Sequence, residues 1–108
     1  GFMNIIESKK YKISYKKVLK YKVREKERLE NIKNLIISKK NLHELLIDPY
    51  KNIYHIEKKQ GKYKEYYTAR LNGKIRLFMK PMGEYPYNNI EIVDILFLDI
   101  DDTHYGEG

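Results

Sequence analysis

The sequence contains no cysteine and no tryptophan, and only three prolines and six glycines among 108 residues. Without cysteine, disulfides, thiolate-bound zinc, iron–sulfur clusters and thiol nucleophiles are excluded, and a reducing compartment is compatible with the chain. No apolar run approaches the roughly 20 residues that a membrane-spanning helix needs. The N-terminal stretch also lacks the charged-then-apolar order of a secretion signal. A cytoplasmic protein without membrane contact is therefore expected. The 42% hydrophobic fraction is too high for a disordered tail. With no repeat, low-complexity tract or linker, one domain over residues 3–108 is expected, large enough to bury a core.

What the chain has in excess is positive charge, unevenly placed. Residues 1–40 carry 13 basic and 4 acidic side chains, and residues 41–80 carry 9 and 4. Residues 81–108 carry no basic and 7 acidic side chains, leaving a formal net charge of +7. A basic surface of this kind attracts a polyanion through counterion release. Only four of the 22 basic residues are Arg, at positions 24, 28, 70 and 76. The chain is crowded with Lys, Ile, Asn and Tyr, which have A/T-rich codons, so lysine number alone does not define a nucleic-acid surface.

Periodicity divides the chain in two. Met3–Glu7 is short and apolar and reads as a strand, and the Lys- and Tyr-rich residues 9–23 have helical spacing. Glu25–Ile37 is a clearer helix, with Leu29, Ile32 and Ile36 on one stripe and Glu25 and Glu27 in the first turn. Asn41 caps a short helix through Leu46 that Asp48-Pro49 ends. Strands are then expected at 52–58, 62–71, 74–80 and 90–100, with a loop from Pro81 to Asn89. The fold class expected is α+β: an N-terminal strand and two helices packed on a mainly antiparallel sheet of four to five strands.

Within the sheet, Arg70 and Arg76 flank Asn72-Gly73, the strongest hairpin signal in the chain. Arginine grips phosphate with two parallel hydrogen bonds and stays charged throughout. A two-residue turn would pair Arg70 with Ile75 and send the two guanidinium groups to opposite faces. A three-residue loop would pair Arg70 with Arg76 on one face and make a clamp. His104-Tyr105 follows the last apolar strand and offers a group able to exchange a proton at neutral pH. His43 and His55, with no metal-ligand spacing around them, read as structural. Phe97–Thr103 (FLDIDDT) matches a phosphatase nucleophile motif, but too little chain follows to supply its partner residues. Asp99, Asp101 and Asp102 read as a solvated turn rather than a metal site.

The stretch from Ile56 to Met79, IEKKQGKYKEYYTARLNGKIRLFM, resembles the RelE/ParE superfamily of toxins from toxin–antitoxin modules. The shared pattern is a glutamate before a Lys/Gly-rich loop, then aromatic–x–x–Arg–apolar–Asn, a tight turn, Arg and an apolar strand. The ending Asp99–Tyr105 (DIDDTHY) is similar to the HigB and YoeB branches, which close on a His or His-Tyr. The resemblance implies a RelE-like fold and an endoribonuclease that cleaves messenger RNA, commonly on the ribosome, without metal or cofactor.

By the same resemblance, Arg70 stabilises the transition state, His104 protonates the leaving oxygen, Glu57 is near the base of some branches, and Arg76 binds phosphate. Lys62, Tyr67, Lys74 and Tyr105 would contact RNA, and a cognate antitoxin would be the protein partner. Two departures stand out. The Pro81–Asn89 loop is long for its place, and the carboxylates around His104 would favour its protonated form while repelling phosphate. The competing readings are a non-nucleolytic gyrase poison, as in the ParE branch, and a purely protein-binding relative.

Overall fold

The computed structural model describes residues 1–102. Strand β1 (Asn4–Glu7) leads into helix α1 (Lys9–Val18) and then α2 (Val23–Ile37). Two short helices follow, α3 (Leu42–Leu46) and α4 (Tyr50–Ile53). The chain then enters the sheet strands β2 (Glu57–Lys58), β3 (Tyr67–Arg70), β4 (Arg76–Pro81) and β5 (Asp94–Asp101). The sheet order is β1-β5-β4-β3-β2, antiparallel throughout except that β1 runs parallel to β5. This is the expected α+β class, with all five strands in one sheet.

Helix α1 starts where the Ser8 hydroxyl accepts the Tyr11 N–H (3.0 Å), a side-chain cap for an orphan donor of the first turn. It ends before Tyr21, whose positive φ of 64° breaks the helix that the periodicity extended to residue 23. The expected stripe on α2 is in place, with Leu29, Ile32 and Ile36 buried in the core. Asn41 caps α3 by accepting the Glu44 N–H at 2.9 Å.

Four expected strand boundaries move, the one over 74–80 only slightly, to Arg76–Pro81, because the Asn72 side chain holds Lys74 and Ile75 in the loop and its base. The strand predicted over 52–58 is a helical turn followed by a two-residue strand, because the Asp48 carboxylate accepts the Tyr50 N–H (2.8 Å) and Pro49 presets a helical φ. The strand predicted over 62–71 begins only at Tyr67, after a 3-10 turn at Gly61–Tyr63. The strand predicted over 90–100 begins at Asp94, because the Asn88 carbonyl accepts the N–H groups of Glu91 and Ile92 and folds that stretch into a turn. Asp99 and Asp101 accordingly belong to a strand and not to a solvated turn; Asp99 is buried, and the Lys10 ammonium lies 3.4 Å from its carboxylate.

Alternation assigns the two faces. Ala69, Leu71, Ile75, Leu77, Met79, Phe97 and Ile100 point into the core with α1 and α2. Thr68, Arg70, Arg76, Phe78, Asp99 and Asp101 share the second face, with Glu57 opposite Thr68. A bulge between Phe78 and Met79 keeps both faces in register despite the extra residue in β5.

Candidate functional site at the β3–β4 hairpin

The hairpin resolves the choice left open by its sequence. Arg70 pairs with Arg76, and the Leu71 N–H donates to the Ile75 carbonyl at 2.9 Å, so the loop is Asn72-Gly73-Lys74. Both guanidinium groups therefore rise from one face at neighbouring positions, about 5 Å apart at the backbone. Asn72 imposes this loop through its side chain: the amide oxygen accepts the N–H groups of both Lys74 and Ile75 at 2.8 Å. Its amide nitrogen donates to the Glu25 carboxylate at 2.8 Å, tying the hairpin to α2 and holding the Glu25 carboxyl below its ordinary range.

A second link fixes the base of Arg70. The Arg28 guanidinium, on α2, donates through Nε to the Arg70 carbonyl (2.6 Å) and through a terminal nitrogen to the Ile53 carbonyl (2.7 Å). It also lies 4.9 Å from the centre of the Tyr54 ring. The Arg70 N–H donates in turn to the Tyr54 carbonyl at 2.8 Å. Both backbone polar groups of Arg70 are thus held, so its side chain leaves from a fixed point.

Like charges directly opposite one another weaken a sheet. The Arg70–Arg76 pair breaks that rule at the end of the hairpin, with Asp101 next in register beyond Arg76. The face is floored by Thr68 and Phe78, both buried. Two guanidinium groups side by side suit a phosphate, with the carboxylates of Asp99 and Asp101 on the same face bounding where an anion can sit.

The remaining sequence candidates separate. Glu57 lies exposed on the same face, one strand out from Thr68. Lys74 is exposed in the hairpin loop, and Lys62 is exposed on the 3-10 turn with its ammonium 5.2 Å from the Tyr63 ring centre. Tyr67 does not join them: three residues from Arg70, it points the other way and is only 8% exposed, with burial pushing its phenol pKa up. A ring so covered presents no face for stacking on a base. His104 and Tyr105 lie outside the described residues. His55, read from the sequence as structural, stands beside the site, its Nδ1 3.8 Å from the Glu57 carboxylate. No sequence signal marked it, because His55 lies in the turn after α4 with a positive φ of 51° and only the fold brings it beside Glu57. Among the described residues no group of three or more His, Asp or Glu side chains is arranged to hold a metal, and no helix is long and apolar enough to cross a membrane.

No family model matches the sequence, and no curated protein matches it significantly. The fold, in contrast, has solved counterparts. It is similar to YafQ from Escherichia coli BL21(DE3), with a TM-score of 0.64 over 94% of this chain and 93% of that one, at 15% identity. A YafQ variant with one histidine replaced by glutamine is similar at 0.60 and 17% identity, over 94% and 93% of the two chains. YafQ in the E. coli DinJ–YafQ toxin–antitoxin complex is similar at 0.61 and 18% identity, over 93% and 91%. Across nearly its whole length, this chain has the RelE-like fold of the YafQ toxin.

Proposed function

We propose that this chain is the toxin of a toxin–antitoxin module and acts as an endoribonuclease on messenger RNA, in the cytoplasm and on the ribosome. The observation that carries the reading is the Arg70–Arg76 cross-strand pair, held by Asn72 and Arg28. The shared fold with a toxin solved in complex with its antitoxin supports the module. The 22 basic side chains fit RNA as the target and an acidic segment as the neutralising partner.

The chemistry needs no cofactor, because RNA carries its own nucleophile. A ribose 2′-OH attacks the adjacent phosphorus, the P–O5′ bond breaks, and a 2′,3′-cyclic phosphate and a 5′-hydroxyl result. The protein's tasks are to align the groups, neutralise the phosphorane and move two protons. Arg70 is assigned charge stabilisation and Arg76 phosphate binding. Glu57, with His55 beside it, is the candidate to accept the 2′-OH proton, and His104 the candidate to protonate the departing oxygen. Lys74 and Lys62 extend the phosphate-binding surface.

The test is a translation extract dosed with the purified chain, with messenger RNA ends mapped by primer extension. New ends are expected with the parent chain, and a loss of at least about 100-fold in cleavage with Arg70→Ala, as for removal of one charge-stabilising donor. The variant should stay folded, since a half-exposed strand Arg contributes little to stability. Intact message with translation still running would overturn the nuclease reading and turn attention to gyrase supercoiling.

A further inference from the structure

At the opposite end of the sheet from the hairpin, where β3 begins and β4 ends, lies a cluster of tyrosines and lysines that the catalytic reading does not use. The β2–β3 connection brings Tyr63 and Tyr66 to 6.0 Å between ring centres. The long loop after β4 brings Tyr85 and Tyr87 edge to face, at 5.3 Å and 90°. Tyr87 is the anchor of this loop. Its hydroxyl donates to the Glu65 carbonyl at 2.7 Å, and burial pushes its phenol pKa up to about 12. Tyr85 is the presented ring, half-buried, with the ammonium groups of Lys58 and Lys64 at 5.5 and 5.4 Å from its centre.

Cations gathered on one aromatic ring supply together the two things a single-stranded nucleic acid offers to match, a π-face and a phosphate. Tyr85 also lines a surface cleft of about 440 Å³ with Pro86, Asn88 and the carboxylates Glu84 and Glu91, room enough for a base while its phosphate stays outside on the lysine side of the ring. Lys80 connects the cluster to the second sheet face. It lies four residues along β4 from Arg76, and its ammonium is 3.9 Å from the Glu65 carboxylate. Four strand residues span about 13 Å, or about four nucleotides at the stacked rise of one strand.

We propose that Tyr85, with Lys58 and Lys64, is a stacking platform for single-stranded RNA. It holds a base of the strand whose phosphate backbone runs on to Arg76 and Arg70. The inference rests on the RNA reading of the hairpin but not on cleavage. It gives a function to the loop that is long for its place.

The test uses the full chain and a fluorescent single-stranded 12-mer oligoribonucleotide with every 2′-OH methylated, so that binding is read without cleavage. Tyr85→Leu should weaken binding about 5- to 150-fold, the range of one lost base–aromatic stack, and Tyr85→Phe should retain it. Lys58→Ser with Lys64→Ser should lower the slope of log affinity against log salt by about 1.4, two phosphate contacts on a single strand. Melting temperature, measured alongside, should move little in any of these variants. Parent-like binding by folded Tyr85→Leu overturns the platform, as does equal competition by the same sequence as a duplex, which would leave only charge. Tyr85-dependent binding without any cleavage in the translation extract would sink the nuclease and leave the platform standing. Cleavage with Tyr85-independent binding would do the reverse.

Discussion

Arg28 and Arg70 show how far a residue's meaning depends on what its backbone or side chain is tied to. Both are half-exposed arginines. Arg28 ends on two carbonyls and so acts on geometry, whereas Arg70 has its carbonyl and N–H fixed and its guanidinium directed from the second face. Arg28→Ala should cost about 1–3 kcal/mol, since it leaves two carbonyls without a charged donor. It should also lower cleavage by the fraction that follows from a loosened Arg70. Lysine should not restore it, because a single ammonium cannot reproduce the fork that spans the Arg70 and Ile53 carbonyls. Urea denaturation beside the primer-extension assay separates the two effects. If stability falls and the activity of the folded fraction does not, Arg28 supports the fold alone. Tyr67 carries the complementary lesson. Its aromatic–x–x–Arg spacing suggested partnership with Arg70, yet an odd separation on a strand sends two side chains to opposite faces.

Between elements, polar side chains do the joining. Asn72 replaces a glycine-dependent turn with an Asx-type loop; Gly61, not Gly73, is the described glycine with a positive φ. Asn72→Ala should therefore cost about 1–2 kcal/mol in chemical denaturation, while Gly73→Ala should be nearly silent. Equal losses from the two would show that the backbone and not the amide sets the loop. Lys39 and Asp48, 2.6 Å apart, join the end of α2 to the end of α3, and this contact with the Tyr50 N–H holds the Asp48 carboxyl below its usual value of 3.8. Glu25, bonded to Asn72, is likewise held below 4.5. A carboxyl with a lowered folded-state pKa adds stability that is present above its unfolded pKa and lost as pH falls through its folded one. Melting temperature should thus be flat from pH 7 to about 5 and fall below about 4.5. Asp48→Asn should lower the neutral-pH value and flatten part of the acid fall. An unchanged acid limb in that variant would assign the fall to other carboxylates.

On the scale of the whole molecule, the sequence was readable where one period dominated. Leu29, Ile32 and Ile36 announced α2, and Asn72-Gly73 announced the hairpin. The second clause of the hairpin, its loop length, was not readable, because it depends on which backbone groups the Asn72 amide captures. The segment 52–58 misled for a related reason. Its alternating Ile53 and His55 look like a strand, but Asp48 and Pro49 have already begun a helical turn. Pairing of β1 with β5 joins Asn4 to Asp94 and leaves no local trace. Of the site, the arginine pair lay in the motif, while Arg28 and His55 become visible only when α2 and the α4–β2 connection fold against β3. The tyrosine–lysine cluster was invisible as a cluster, because residues 58–66 and 82–88 are separate loops that meet only in space.

The interior position of β5 has one more consequence. It is flanked by β1 on one side and β4 on the other, and beyond Glu7 its edge is taken over by α1. There the Ser8 hydroxyl donates to the Leu98 carbonyl and the Ser14 hydroxyl accepts the Ile100 N–H. Residues 4–7 therefore have no strand partner until residues 94–101 have been made, and before then β1 is held only through α2, by the Lys33–Glu7 ion pair and the Met3 N–H bonded to the Lys39 carbonyl. A chain growing from its N-terminus carries β1 without its sheet neighbour until β5 emerges, and the high sequence separation makes closure of the sheet a late step. The sheet closes by insertion: β5 enters between a strand made at the start of the chain and one made just before it.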